Sequence, residues 1–121
     1  MFVKRAAEVA EEPVPAGVGT TRQVLIGSEV GPHFAMRRFI MQAGGGIPVH
    51  TNTVEHEQYV LRGRAAMTIG GDPVEVKAGD VVFIPAGTPH SYRVVGAEPF
   101  EFLCMIPNLP DRIEILEPPK Q

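Results

Sequence analysis

The chain has almost no cysteine and little excess of either charge sign. Cys104 is the only cysteine among 121 residues, so an intrachain disulfide cannot form and metal sites rich in thiolates are excluded. Any metal must therefore be held by imidazole and oxygen. The formal net charge is −3 at pH 7, whereas binding to a phosphate backbone depends mainly on clustered Lys and Arg. We therefore expect no nucleic-acid partner.

Long apolar runs are absent too. No stretch approaches the roughly 18 consecutive apolar residues that a membrane-spanning helix requires. The N-terminal residues Met1 to Arg5 are not followed by the apolar segment of a secretory signal. These two absences predict a cytoplasmic protein with no membrane partner.

Glycine and proline are plentiful and spread along the chain. The 13 glycines and 12 prolines separate short apolar runs, which is the spacing of turns in an all-β sandwich or barrel. The apolar content of 44% is enough for one hydrophobic core, so one domain is predicted. Gly70-Gly71-Asp72-Pro73 and Ala78-Gly79-Asp80 are predicted as hairpin turns. The predicted strands are RQVLIGS, FAMRRFIM, EQYVLRG, AAMTIGG, PVEVKAG, VVFIPAG, HSYRVVG and PFEFLCMIP.

The N-terminal segment differs from the rest of the chain. Residues 4–12 have a helix-forming composition but are too few for a stable isolated helix, and Pro13 and Pro15 end the pattern. We therefore predict that residues 1–21 form an arm and that residues 22–116 form the folded domain.

Three of the four histidines lie at the ends of predicted strands: His50, His56 and His90. Neutral histidine is the commonest ligand of transition metals, and a mononuclear site needs about three ligands that converge from different strands. His50 and Asn52 are two residues apart, so their side chains share one face of an extended strand. This pattern indicates a site for one divalent transition metal. His33 lacks this context and is predicted to be a surface or capping residue.

Two stretches resemble the two sequence motifs of the cupin family. Residues 44–63 are similar to the first motif, which has glycine, five residues, His-x-His, three or four residues, glutamate, six residues and glycine. Residues 79–94 are similar to the second, which has glycine, five residues, Pro-x-Gly, two residues, histidine, three residues and asparagine. The resemblance implies an all-β fold, the double-stranded β-helix or jelly-roll barrel, over residues 22–116. It also implies a homodimer, formed through sheet faces or exchanged N-terminal strands. Apart from the resemblance, Ile113 to Leu116 are a further candidate for covering a partner's sheet edge.

Three positions depart from the family motifs. Asn52 replaces the second histidine, His56 replaces the glutamate, and Val94 replaces the final asparagine. In some small cupins a histidine at the His56 position is a ligand, so the resemblance implies that His50, His56 and His90 hold Fe, Mn, Cu, Ni or Zn. Asn52 would coordinate weakly, act through water or orient the substrate. Glu57 is an alternative ligand if the loop shifts by one residue.

Further side chains are predicted beside the metal. Arg37 and Arg38 are adjacent on one strand, so one of them must face the interior. We take Arg38 as the candidate that would bind a substrate carboxylate, the alternative being a place at the barrel rim or in a subunit interface. Gln58 would position the substrate, Tyr92 would donate its hydroxyl and Phe102 would exclude water. For Cys104 we expect a buried, inert thiol.

Three neutral imidazoles would leave coordination positions open for a substrate or dioxygen. We therefore predict a small-molecule metalloenzyme with dioxygenase-type or C–C cleaving oxidative chemistry. One alternative is a redox-neutral isomerase or lyase in which Glu57 or Tyr92 acts as the base. The other is a non-catalytic module that binds or senses a small ligand.

Overall fold

Ten β-strands and one 3₁₀ helix make up residues 2–116, the part of the chain that the computed structural model describes. Met1 of the predicted arm lies outside the described residues. The 3₁₀ helix covers Ala6–Glu8. The strands are β1 Glu12–Pro13, β2 Val18–Ile26, β3 Phe34–Asn52, β4 His56–Arg62, β5 Arg64–Ile69, β6 Asp72–Lys77, β7 Val81–Ile84, β8 His90–Val95, β9 Phe100–Pro107 and β10 Ile113–Ile115.

Strand β3 organises the sheet because it is 19 residues long and pairs with four other strands. Its first half lies between β2 and β9, and its second half pairs with β8 and β10. The hydrogen-bonded order is β6-β5-β8-β3-β9-β4-β7, with β1, β2 and β10 added at the side. The result is a single curled sheet, and it confirms the predicted all-β cupin barrel.

The inward and outward faces follow the alternation of the sequence. In β4, His56, Gln58 and Val60 are buried, while the residues between them are more exposed. The buried side chains of the other strands meet these in one core, built around Phe39, Met41, Met67, Phe100 and Phe102. The ring of Phe102 stacks on Phe39 at 5.1 Å and on Tyr92 at 5.3 Å between centroids. These three stacked rings also line the cavity described below.

One of the two predicted hairpins is confirmed and one is wrong. Ile69 pairs with Asp72 across Gly70-Gly71, which gives the β5–β6 hairpin. Ala78-Gly79-Asp80 does form a tight turn, in which the Asp80 amide donates to the Lys77 carbonyl at 3.0 Å. However, β7 pairs with β4 instead of β6. Its Val82 and Ile84 are buried in the core there, so burial of the strand decides its partner.

The N-terminal residues lie against the outer face of β2. Strand β1 pairs with β2, and the Gln23 side-chain amide donates to the carbonyls of Ala6 and Val9, each at 2.8 Å. The β2–β3 ladder begins at Val18. The sheet therefore includes the last four residues of the predicted arm.

Gly63 is required by the turn between β4 and β5. Its φ of 78° lies in the left-handed region, and a Cβ at this position would collide with the backbone carbonyl of Pro99. The other motif glycines, Gly44, Gly79 and Gly87, also have positive φ.

Within residues 2–116, no helix has the length and apolar character needed to cross a membrane. The cytoplasmic location stays a prediction.

Candidate metal centre

A cavity of about 160 Å³ lies inside the curled sheet. Residues of β2, β3, β4, β8 and β9 line it, together with Val14 near one end of the chain and Asp111 and Ile113 near the other. It contains all three histidines at motif positions. The lining residues are Val14, Arg22, Arg37, Phe39, Ile47, His50, Asn52, His56, Gln58, His90, Tyr92, Phe102, Asp111 and Ile113.

The three histidine rings come together from three strands. His50 of β3 and His90 of β8 are register partners, and their ring centroids are 4.2 Å apart. The ring of His56, at the start of β4, lies 5.7 Å from that of His90. All three residues are at most 6% exposed. The structure therefore brings together the imidazoles that the sequence singled out.

Backbone carbonyls fix the tautomers of two of these rings. Nδ1 of His50 lies 2.7 Å from the Pro48 carbonyl, and Nδ1 of His90 lies 2.9 Å from the Thr88 carbonyl. Because a carbonyl only accepts hydrogen bonds, each Nδ1 must carry the proton. Each Nε2 therefore presents a lone pair, which is the form that binds metals.

The third ring is held by the thiol of Cys104. The Cys104 Sγ lies 3.4 Å from Nδ1 of His56. Nε2 of His56 is buried and has no hydrogen-bond partner within residues 2–116, and the same is true of Nε2 of His90. Two buried nitrogen atoms without partners are costly unless a ligand satisfies them.

Burial keeps the three imidazoles neutral. The pKa of His56 is lowered to about 3, mainly by burial and then by the neighbouring Arg37, His90 and His50, while Asp111 acts in the opposite direction. Burial lowers the pKa of His90 to about 4, again with a contribution from His50 and against the hydrogen bond to Thr88. It also lowers the pKa of His50, against the raising effects of the Pro48 hydrogen bond and Asp111. At neutral pH all three imidazoles are therefore neutral, with one ring nitrogen of each carrying a proton.

The donor set fits a transition metal, although the side chains do not form a ready-made site. Within residues 2–116, no group of three or more His, Cys, Asp or Glu side chains has the arrangement of a formed metal site. The fit rests instead on three neutral rings in one cavity, two of them with unsatisfied Nε2 atoms. Neutral imidazole is a good ligand for Zn, Cu, Fe and Ni.

Asn52 lies at the mouth of the same cavity. Its side-chain amide donates to Asp111 Oδ2 at 3.3 Å, while its Oδ1 is buried without a partner in the described part of the chain. The backbone amide of Thr53 donates to the other carboxylate oxygen of Asp111 at 3.0 Å. Asn52 thus joins the β3 end of the cavity to the segment that precedes β10.

Gln58, Tyr92 and Phe102 all line the cavity as the sequence suggested. The side-chain amide of Gln58 donates to the Tyr92 hydroxyl at 2.6 Å. Burial raises the pKa of Tyr92, and so does Cys104, although the Gln58 hydrogen bond and Arg37 oppose this. Burial also raises the pKa of the Cys104 thiol. Both groups are therefore protonated at neutral pH.

The prediction that Arg38 faces the cavity is wrong, because its neighbour Arg37 occupies that position. Arg37 pairs in register with Cys104, and strand alternation turns both toward the cavity. Arg38 therefore points to the outer face, where it forms an ion pair with Glu101 and donates to Gln23 Oε1 at 3.2 Å. Its guanidinium is engaged in structural contacts and cannot reach a ligand in the cavity.

Glu57 lies on the opposite face of β4 from His56 and does not line the cavity. It can act neither as the alternative ligand nor as a base there. His33 is exposed in the loop before β3, in agreement with its predicted surface role.

Sequence reasoning missed Asp111, a carboxylate that lines the cavity. It belongs to neither motif and follows Pro110 in a segment with no strand pattern. Ile113 also lines the cavity. The expectation that Ile113 to Leu116 cover a partner's sheet edge is wrong, because this segment pairs with the end of β3 in the same chain. Nothing in the local sequence indicates that this segment folds back over His50 and Asn52.

Comparison with known proteins agrees with this geometry. The family model described as "Cupin domain" matches residues 37–106. The oxalate-binding protein of Thermotoga maritima is 30% identical over 112 residues, which cover 87% of this chain and 93% of that protein. An uncharacterised protein of Methanocaldococcus jannaschii is 36% identical over 80 residues, which cover 59% of this chain and 64% of that protein. The chain thus spans less than two thirds of the length of the Methanocaldococcus relative.

Among solved structures, the polyketide cyclase RemF from Streptomyces resistomycificus is similar over nearly the whole chain. The TM-score is 0.86 at 30% sequence identity, and the match covers 97% of this chain and 87% of that one. The fold and the matched family model define a small single-domain β-barrel with its polar site inside. The chain belongs to the cupin family.

Proposed function

We propose that this cupin is a metal-dependent enzyme that binds one divalent transition metal through His50, His56 and His90 and oxidises a small oxygen-bearing organic molecule with dioxygen. One observation carries the proposal. Three neutral, buried imidazoles from three strands share one cavity, and two of their Nε2 atoms have no partner within residues 2–116. A site with only neutral ligands leaves a dication's charge uncompensated, which favours an anionic substrate.

When bound, the metal would supply Lewis acidity and open coordination positions for substrate and dioxygen. The chain's own residues have separate roles. Cys104 and the carbonyls of Pro48 and Thr88 orient the imidazoles. Phe102 closes the floor and keeps water out.

Gln58 and Tyr92 form one polar unit beside the imidazoles. Because Gln58 donates to the Tyr92 oxygen, the phenol proton is free to be donated to a substrate oxygen. Asn52 contributes a free amide oxygen at the mouth. These groups would position a substrate without taking a proton from it.

The shortage of bases favours oxidative over proton-transfer chemistry. Tyr92 is a poor base because burial raises its pKa, and Glu57 lies outside the cavity. Among residues 2–116, Asp111 is the one carboxylate that lines the cavity, and it stands at the mouth with both oxygens hydrogen-bonded.

A redox-neutral reaction is the second candidate, and the similarity to a polyketide cyclase over 97% of this chain favours it. In this case Asp111 would be the base, since a carboxylate at the mouth could reach a proton on a substrate held by the imidazoles. A third outcome, binding without turnover, is consistent with the similarity to the oxalate-binding protein.

The metal part of the proposal is tested by titration of chelator-treated protein with Fe²⁺, Mn²⁺, Zn²⁺, Ni²⁺ and Cu²⁺, followed by calorimetry. We expect one site per chain, and a loss of affinity of about 100-fold in His56→Ala, since a ligand is removed. His33→Ala is the matched control, because it removes an exposed imidazole outside the cavity. Equal affinities in His56→Ala and the wild type would contradict the proposed ligand set.

The chemistry is tested on the metal-loaded protein with a panel of enolisable ketones, phenols and carboxylates. We expect oxygen consumption by the wild type and its loss in His56→Ala. Product formation that continues under strict anaerobiosis and depends on Asp111 would favour the redox-neutral candidate. Recovery of every compound unchanged after binding would favour the non-catalytic reading.

We also propose that the protein is a homodimer. An apolar strip on the outer face of β4 and β7 supports this: Tyr59, Leu61, Val81 and Phe83 are 41–77% exposed. Light scattering coupled to size-exclusion chromatography should give twice the mass of 13.1 kDa. A monomer at micromolar concentration would contradict the dimer.

A further inference from the structure

We infer that Arg37 is the anion-binding residue of the cavity, and that the ligand is a small organic anion of about one-ring size that carries a carboxylate, enolate or phenolate. The inference rests on the proposed small-molecule site and names its substrate class. It does not depend on which metal is bound, or on whether the chemistry is oxidative.

Arg37 makes few polar contacts. Its Nε is buried without a hydrogen-bond partner within residues 2–116. An unpartnered buried Nε is found in Arg38 as well, but Arg38 also binds Glu101 and Gln23, whereas Arg37 has no such partner in the described part of the chain. Its Nη2 has a long contact, 3.7 Å, with the thiol of Cys104. The guanidinium carbon lies 5.0 Å from the centre of the Phe39 ring. A guanidinium has five N–H donors in a planar fork, so most of its hydrogen-bonding capacity is unused.

Arg37 also has no ion-pair partner in the described part of the chain, unlike four other arginines. Carboxylates pair with Arg22, Arg38, Arg62 and Arg64. A partly buried cation without a counter-ion is unfavourable unless something neutralises it. Two arginines line the cavity, Arg22 and Arg37, and of these Arg22 pairs with Glu12 while Arg37 has no carboxylate partner in the described part of the chain.

No acidic side chain of the described residues can neutralise Arg37 inside the cavity. The one carboxylate in the lining is that of Asp111, and its oxygens accept hydrogen bonds from Asn52 and Thr53. The three imidazoles are neutral and contribute no negative charge. The hydrogen bonds to Asp111 leave its negative charge in place, but neither carboxylate oxygen pairs with Arg37. A bound metal cation would add further positive charge beside the guanidinium. An anion that lies between the guanidinium and the imidazoles would compensate the positive charge of Arg37 and that of a metal cation bound by the imidazoles.

The size and the walls of the cavity limit the rest of the ligand. Its volume of about 160 Å³ is close to that of an engineered protein cavity of about 150 Å³ that binds benzene. The stacked rings of Phe39 and Phe102 line the cavity and give it an apolar side next to the guanidinium. A planar ring or a short carbon chain with one anionic group matches this combination.

The test compares benzoate with benzamide, which has nearly the same shape but no charge. Binding is measured by calorimetry with chelator-treated protein and with Zn²⁺-loaded protein. The variants are Arg37→Gln and Arg37→Lys, and Arg93→Gln is the matched control because it removes an exposed arginine on β8. We expect the wild type to bind benzoate at least 10-fold more tightly than benzamide.

We expect Arg37→Gln to weaken benzoate binding by about 10- to 100-fold, the effect of losing a charge-assisted hydrogen bond, and to abolish the preference over benzamide. Arg37→Lys should keep part of the preference, and Arg93→Gln all of it. The inference is overturned if the wild type does not prefer benzoate, or if folded Arg37→Gln keeps the preference. Absence of a preference in the wild type would overturn the inference even if the variants fail to fold, and a wild-type preference is assigned to Arg37 only through Arg37→Gln or Arg37→Lys.

The same experiment separates this inference from the metal proposal. If chelator-treated protein and a His56→Ala variant still prefer benzoate, the role of Arg37 stands even when no metal binds. If the protein binds Zn²⁺ through its histidines but shows no preference for benzoate, the metal site stands and the role of Arg37 is rejected.

Discussion

The metal-free protein should lose stability sharply when the pH falls below 6.5. The perturbation is protonation of imidazoles that the fold keeps neutral. Burial, together with the neighbouring cationic groups, lowers the pKa of His56 to about 3 and that of His90 to about 4, whereas both titrate near 6.5 in the unfolded chain. Below pH 6.5 the unfolded state therefore binds more protons than the folded state, and protons favour unfolding.

The magnitude follows from this difference in proton binding. At pH 5 each of these two histidines is almost fully protonated in the unfolded chain and neutral in the folded one. Each contributes a slope of about 1.4 kcal/mol per pH unit, and so a loss of about 2 kcal/mol between neutral pH and pH 5. Between neutral pH and pH 5, His56 and His90 together should lower the free energy of unfolding by about 4 kcal/mol. This is a large share of the roughly 5–15 kcal/mol that stabilises a typical domain. His50, whose pKa is also lowered, acts in the same direction.

The measurement is urea denaturation of chelator-treated protein at several values between pH 7.5 and pH 5. A His56→Gln variant isolates one contribution, because its free energy of unfolding should fall by about 2 kcal/mol less over this range than that of the wild type. His33→Gln controls for the loss of an imidazole outside the cavity. Parallel pH profiles for the wild type and His56→Gln would refute the idea of a buried, neutral His56.

Three substitutions test the packing around the site. Gly63→Ala should lower the free energy of unfolding by more than about 2 kcal/mol in thermal denaturation, because it adds a backbone collision to a positive φ. Gly71→Ala, which has nothing within 4 Å of its Cβ, should lower it by only about 1 kcal/mol. Equal losses in the two variants would contradict the collision. Phe102→Ala should cost about 3–5 kcal/mol in urea denaturation, since the side chain is 1% exposed, and a cost below 1 kcal/mol would mean that the stack is not tightly packed. Tyr92→Phe leaves the Gln58 amide with only its long contact of 3.9 Å to the Cys104 thiol and should cost about 1–3 kcal/mol by the same assay, whereas an unchanged midpoint would show that this contact satisfies the amide.

The strands and the histidine cluster were predictable because their signals are local. Alternating polarity sets which face of β4 and β8 is buried, and motif spacing singles out His50, His56 and His90. The choice between Arg37 and Arg38 was not predictable. Strand alternation requires one of the two to face inward, but which one depends on the register of β3 against β9.

Other errors arose where contacts between distant parts of the chain decide the structure. The Ala78-Gly79-Asp80 turn has the composition of a hairpin, but β7 joins β4 because its apolar side chains are buried there. Asp111 reaches the cavity only because its segment crosses the sheet to meet Asn52, 59 residues earlier in the chain. No local pattern encodes such a long-range contact.

The short strand β10 has a consequence for the order in which the molecule assembles. It has three exposed residues and is held to the last residues of β3, far away in the chain, with the Leu116 amide donating to the Val49 carbonyl at 2.8 Å. Joining such distant segments costs loop-closure entropy, and little apolar burial offsets it. The entrance to the pocket should therefore form late in folding and open first in the native state. Amide hydrogen exchange at Ile113 to Leu116 should consequently be much faster than at the buried strands around Phe102.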